Sequence, residues 1–135
     1  MRDIKFRVWD KFEKRIYKVE EIRWNCFKEI ELISVYENDS LCKSYVKNHN
    51  VERHNIKALE LMKYTGLKDK NGKEIYEGDI VEYDDVLWTI EYSKEDGAFI
   101  LNSYDILENF RNTDSKWVEV IGNIYENPNL LQEEN

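Results

Sequence analysis

One proline and five glycines in 135 residues leave no room for a flexible low-complexity linker. Only two cysteines occur, Cys26 and Cys42, 16 positions apart. Too few for a disulfide framework, they read as reduced thiols of a cytoplasmic protein, and their apolar neighbours (Trp24 and Phe27; Leu41 and Tyr45) suggest core positions. No apolar run approaches the roughly 20 residues that a membrane span needs. The opening Met1-Arg2-Asp3 has no apolar core of a secretory leader, so none is expected. Glycine-rich phosphate loops and the G-x-S-x-G nucleophile turn are also missing, and with them the usual signs of a nucleotide site or a hydrolase.

Aromatic and acidic residues are abundant instead. Four Trp, nine Tyr and five Phe can fill the core of one domain, and the apolar fraction of 41% argues against disorder. The net charge is −8, unevenly spread. Residues 1–55 carry 12 Lys/Arg against 10 Asp/Glu, a net of +2, whereas residues 56–135 carry 8 against 18, a net of −10. The second part would repel a nucleic-acid backbone, while Arg2, Lys5 and Arg7 could offer local basic contacts in the first.

The periodicity is that of short strands. Ile4 to Trp9 alternates strictly, and Ile16 to Val19 resumes the pattern after a polar turn, which makes an N-terminal hairpin. Glu29 to Tyr36 is a further strand. Asp39 or Ser40 could cap a short helix carrying Leu41, Cys42, Tyr45 and Val46. From Ala58 to Tyr64 the chain is again a strand, followed by turns at Lys70–Lys73 and Tyr76–Asp79 and by strands at Ile80–Tyr83, Leu87–Tyr92 and Ala98–Leu101. Asn71-Gly72 and Asp96-Gly97 carry hairpin-turn chemistry, since glycine accepts positive φ. Ser103 could cap a helical turn bearing Ile106, Leu107 and Phe110 before the last strand at Trp117–Ile121. The expectation is a mostly β fold with minor α: an N-terminal β-hairpin plus an SH3-like small antiparallel β-barrel, with a short helical turn before the last strand. It divides into residues 1–55 and 56–135, or forms one integrated domain.

Chemistry-bearing constellations fail on spacing. Placing Gly72 at the sixth position of a calcium loop puts Leu67 at the first and Gly78 at the twelfth, where oxygen ligands are required. His49 and His54 match no zinc pattern. Glu77, Asp79, Glu82, Asp84 and Asp85 form a dense acidic group, but Asp79 and Glu82 fall on opposite faces of a shared strand. No catalytic, cofactor-binding or metal-ligating residue is therefore assigned, and no enzyme activity or cofactor is expected. The aromatics could stack on single-stranded bases, yet filling a core is their ordinary use.

Two motifs carry a family likeness, YTGLKDKNGKEIYEGDIV at residues 64–81 and VIGNIYENP at residues 120–128. With the IKFRVWD opening at residues 4–10, they resemble the YopX family of phage- and prophage-encoded proteins. The resemblance implies a β-rich fold in a bacterial host cell and no transferable catalytic residue. Within the motifs Gly66, Asn71, Gly72, Gly78 and Gly122, with Gly97 outside them, read as structural turn positions. The leading function is a non-enzymatic module that binds a host or phage protein or assembles with itself. The alternatives are nucleic-acid association through the N-terminal segment and an acidic decoy that mimics DNA. A homo-oligomer is expected, with Trp9 of the 4–19 hairpin or Ile124, Tyr125, Leu130 and Leu131 of the tail at the interface. Packing of the tail on its own chain would also cover those residues.

Overall fold

A computed structural model describes residues 5–111 and 115–131. Arg2, Ile4 and residues 132–135 of the tail lie outside the described residues. The chain is mostly β and divides into two compact units, residues 5–62 and 63–131. Among the described residues no helix is long and apolar enough to cross a membrane.

The N-terminal unit is an antiparallel meander of β1 (Phe6–Asp10), β2 (Arg15–Trp24), β3 (Ile30–Tyr36) and β4 (Cys42–Val46). Two single 3-10 turns follow, Glu52–His54 and Ile56–Ala58, and lead into β5 (Leu59–Lys68). The strand order is β4-β3-β2-β1-β5. Register brings Val8 opposite Tyr17 and Ile33 opposite both Ile22 and Tyr45. Val8, Tyr17, Ile33 and Tyr45, with Val35 and Leu59, make the buried core, and the half-buried Ile22 packs against it. A bulge between Val19 and Glu21 inserts one residue into β2. Val19 and Ile22, at an odd spacing, therefore both reach that core.

Two sequence expectations need correction here. The short helix at residues 41–46 is strand β4, paired with β3 from Leu32↔Val46 to Tyr36↔Cys42. A helix that short is marginal alone, whereas as a strand it buries Tyr45 in the core. Cys26 and Cys42 are exposed rather than in the core, at the β2–β3 turn and the start of β4.

The C-terminal unit begins with the second half of β5, which pairs with β6 (Glu74–Tyr76). Strands β7 (Asp79–Tyr83), β8 (Val86–Ser93), β9 (Ala98–Ser103), β10 (Ile106–Asn109) and β11 (Glu119–Asn123) form one antiparallel sheet in the order β10-β9-β8-β7-β11. Ile75, Val81, Trp88, Ile90, Leu101, Phe110, Val118 and Val120 make its core. The β7–β8 connection is the two-residue turn Asp84-Asp85, with φ of 53° and 62°. Both values are positive, as a twist-matched hairpin turn requires.

The helical turn expected at residues 103–110 is instead a second hairpin of this kind. Tyr104 and Asp105 take φ of 49° and 70°, and the Asp105 N–H donates to Asn102 Oδ1 at 2.9 Å. Ile106 then pairs with Ser103, and Phe110 enters the core beside Phe99. The apolar spacing that suggested a helix is met by strand register. The sheet has two ends, β10 and β11, so its pairing does not close the expected barrel.

Candidate interaction surface

Each unit is organised around a buried aspartate. Asp10 ends β1 and is 1% exposed. Its Oδ1 accepts the backbone N–H of Phe12 (2.8 Å) and of Glu13 (2.9 Å), which forms the β1–β2 turn. Its Oδ2 accepts the Tyr45 hydroxyl from β4 at 2.6 Å. Around it the Lys43 ammonium donates to Glu13 Oε1 at 2.6 Å and to the Tyr17 hydroxyl at 3.0 Å. The Tyr17 hydroxyl donates to the other Glu13 oxygen. The ammonium also lies 4.4 Å from the Tyr17 ring centre.

The electrostatics match this geometry. The Lys43 hydrogen bond, then that from Tyr17, holds the Glu13 carboxyl below the usual range. Burial, then the bond to Asp10, pushes the Tyr45 phenol up. Burial works against the Lys43 charge, but its bonds to Glu13, Tyr17 and Tyr45 outweigh that and raise its pKa. Such a lysine stays protonated and is engaged by its neighbours, so it is a structural cation rather than a base.

Asp69 repeats the device in the C-terminal unit. Its Oδ1 accepts the N–H groups of Asn71 and Lys73, each at 2.9 Å, and fixes the β5–β6 turn. Its Oδ2 accepts the Val120 N–H of β11 at 2.9 Å. Burial alone would raise its pKa, but the three backbone donors, Val120 foremost, outweigh that and lower it. Asp79, also 1% exposed, accepts the Tyr76 N–H at 2.8 Å. Of the acidic group, then, Asp79 is a buried turn acceptor and Glu77 accepts the Lys63 N–H, while Glu82, Asp84 and Asp85 lie exposed. His49 and His54 stand edge to face at 5.2 Å, and His49 Nδ1 accepts the Val51 N–H.

Of the turn residues read from the sequence, Gly66, Gly72, Gly78 and Gly97 take positive φ. Asn71 does not, so Gly72 alone carries the left-handed position of its turn. Gly122 sits at a bulge in β11, where an added Cβ would come within 2.5 Å of Asn127 Oδ1. Asn127 and Asn123 together fold the segment after β11: Asn127 Oδ1 accepts the Asn123 N–H, and Asn123 Oδ1 those of Tyr125 and Glu126. The candidate interface residues Trp9, Ile124, Tyr125, Leu130 and Leu131 are all half-buried. The Ile124 N–H donates to the Gly78 carbonyl at 2.9 Å, which anchors the tail to its own unit.

The exposed apolar side chains lie elsewhere. At the β2–β3 turn Phe27 is 79% exposed and Trp24 56%. Asn25 Oδ1 holds this turn by accepting the N–H groups of Phe27 and Glu29. In the C-terminal unit Tyr104 of the β9–β10 turn and Ile106 and Leu107 of β10 stand out. Sequence reasoning missed both groups. The Tyr104-Asp105 pair gave no glycine signal, and Ile106 and Leu107 fitted a buried helical face as well as an exposed strand.

Both units are built of antiparallel strands, with turn-capping aspartates and exposed aromatic and aliphatic side chains. The chain belongs to the YopX protein family, whose sequence model matches residues 5–132. Its fold is similar to the crystal structure of protein EF1440 from Enterococcus faecalis, with a TM-score of 0.72 at 28% identity over 98% of this chain and 100% of that one. It is also similar to protein yopX from Bacillus subtilis, with a TM-score of 0.61 at 21% identity over 100% of both chains. No curated protein matches.

Proposed function

We propose that this chain is a non-enzymatic contact module that works by binding a host or phage protein, or by assembling with itself, in the bacterial cytoplasm. The observation that carries the reading is the display of large apolar side chains on tightly bonded hairpins, led by Phe27 at 79% exposure. Fixed turns lower the entropy lost when such side chains are covered. The buried carboxylates Asp10, Asp69 and Asp79, the natural candidates for acid–base work, serve as acceptors for backbone donors. Nucleic-acid association through the N-terminal unit is less well supported. Lys11, Arg23, Lys43 and Lys47 are paired there with Glu60, Glu21, Glu13 and Glu29.

The test is light scattering combined with affinity capture from bacterial lysate, run beside a Trp24→Ser/Phe27→Ser/Leu107→Ser variant. The reading expects a defined oligomer or a stoichiometric captured protein that the triple variant loses. A wild-type monomer that captures nothing would sink it, and capture of nucleic acid alone would replace it.

A further inference from the structure

The two edges of the C-terminal sheet are treated differently. At β11 the outer edge is sealed from within the unit: the Val120 N–H donates to Asp69 Oδ2 and the Val118 carbonyl accepts the Lys70 N–H at 3.0 Å. At β10 the register fixes which groups are left over. Ile106 faces Ser103 across the turn, and the Phe110 N–H donates to the Phe99 carbonyl at 3.2 Å. Antiparallel pairs alternate between bonded and non-bonded positions, so Ile106, Glu108 and Phe110 point their backbone groups at β9. Leu107 and Asn109 point theirs away, and no described residue bonds them. All four residues of β10 are exposed, including Ile106 at 62% and Leu107 at 59%. The strand has neither proline nor bulge, so only its short length and the Glu108 charge guard this edge.

We propose that β10 is the site of self-assembly: it pairs antiparallel with β10 of a second copy across a two-fold axis, with Leu107 opposite the partner's Leu107. Resting on the contact-module reading, this names its partner. The choice of a second copy comes from the registers that the outward groups allow. Leu107 opposite Asn109 would set Glu108 against Glu108, a like-charge pair. Asn109 opposite Asn109 would carry Ile106 and Leu107 past the partner strand. Leu107 opposite Leu107 bonds their outward N–H and C=O groups to each other and covers Ile106 with the stem of Glu108. It also sets Asp105 opposite Asn109, whose amide can donate to that carboxylate. The chain's own β10 thus meets what its edge asks of an added strand. The arrangement is isologous and closes at two subunits.

Carboxylates outnumber cations at the edge: Glu95, Asp96 and Glu108 line the groove beside Leu107, with Arg111 as the cation among its lining residues. Two copies therefore repel at long range, and added salt should tighten the dimer, whereas a basic partner strand would be weakened by salt.

The experiment measures mass by light scattering over a concentration series at low and high salt. It is run for the wild type, for Leu107→Pro, and for Leu107→Cys in a Cys26→Ser/Cys42→Ser background. Proline at 107 removes only an outward N–H, so the ladder to β9 survives. The expected results are a wild-type dimer favoured by salt, a Leu107→Pro monomer that still melts cooperatively, and a Leu107→Cys chain that oxidises to a covalent dimer. Should Leu107→Pro unfold, the cross-link decides. A wild-type oligomer that survives Leu107→Pro and gives no Leu107→Cys cross-link overturns this pairing but leaves the contact-module reading intact. A monomeric wild type overturns the pairing and leaves that reading to the capture experiment.

Discussion

The two units solve one problem with the same residue type and differ in what they attach it to. In each, a buried aspartate spends one oxygen on two backbone N–H groups of a hairpin turn and the other on a strand distant in sequence. Asp10 reaches 35 residues ahead to the Tyr45 hydroxyl, whereas Asp69 reaches 51 residues ahead to the Val120 N–H. The N-terminal clamp thus depends on a side chain that can rotate and be replaced. The C-terminal clamp depends on backbone, which can do neither. A turn and a remote strand can be locked together by one carboxylate, provided it is fully supplied with donors.

Removing the carboxylates should break the comparison most sharply. Asp69→Ala leaves the buried Val120 N–H with no acceptor and frees two part-buried donors of the turn, and the expected cost is about 4 kcal/mol by denaturant unfolding. Asp10→Ala also orphans three donors, but the Tyr45 hydroxyl can turn toward other groups, so about 3 kcal/mol is expected. If the order is reversed, the backbone-anchored clamp is not the stronger one. Tyr45→Phe isolates the long-range half of the N-terminal clamp and should cost about 1–2 kcal/mol, with the β1–β2 turn intact in amide exchange.

Smaller effects sharpen the picture around the Asp69 turn. Gly72 has φ of +83° and open space where a Cβ would be, so Gly72→Val should cost only the backbone strain, about 1–2 kcal/mol. An unchanged melting temperature would mean that this turn bears no load.

The pH dependence is expected to be the mildest effect. The Asp69 and Glu13 carboxyls are held low, so the stability they add is complete above roughly pH 4 and is lost as pH falls through their lowered folded values. The Tyr45 phenol is held high, so its contribution is present below about pH 10 and is lost as pH rises through its raised folded value. Asp69→Asn should therefore flatten the acid limb of a stability profile and Tyr45→Phe the alkaline limb. A variant that flattens the opposite limb would contradict the assigned partners.

Much of the C-terminal unit was legible in the sequence. The alternation at Trp88, Ile90 and Tyr92 and the turns at Gly72 and Gly97 each appear where local pattern placed them. Local rules suffice there because adjacent strands pair through short turns. They failed at residues 41–46 and 103–110, where helical and strand spacing coincide over a few residues and the neighbouring strand decides. The aspartate clamps were invisible for another reason. Asp10 and Asp69 looked like ordinary turn residues, and nothing local marks an oxygen that will meet a strand dozens of residues away.

By itself the sequence determined the β-rich class and most hairpin positions, because those rest on side-chain alternation and on glycine's tolerance of positive φ, and it carried the YopX membership in its motifs. Only the tertiary structure decided that the cysteines are exposed, that the tail packs on its own unit, and that one sheet edge is sealed while the other stays open. Those outcomes depend on long-range pairing, and register between distant strands leaves no periodic trace in a single chain.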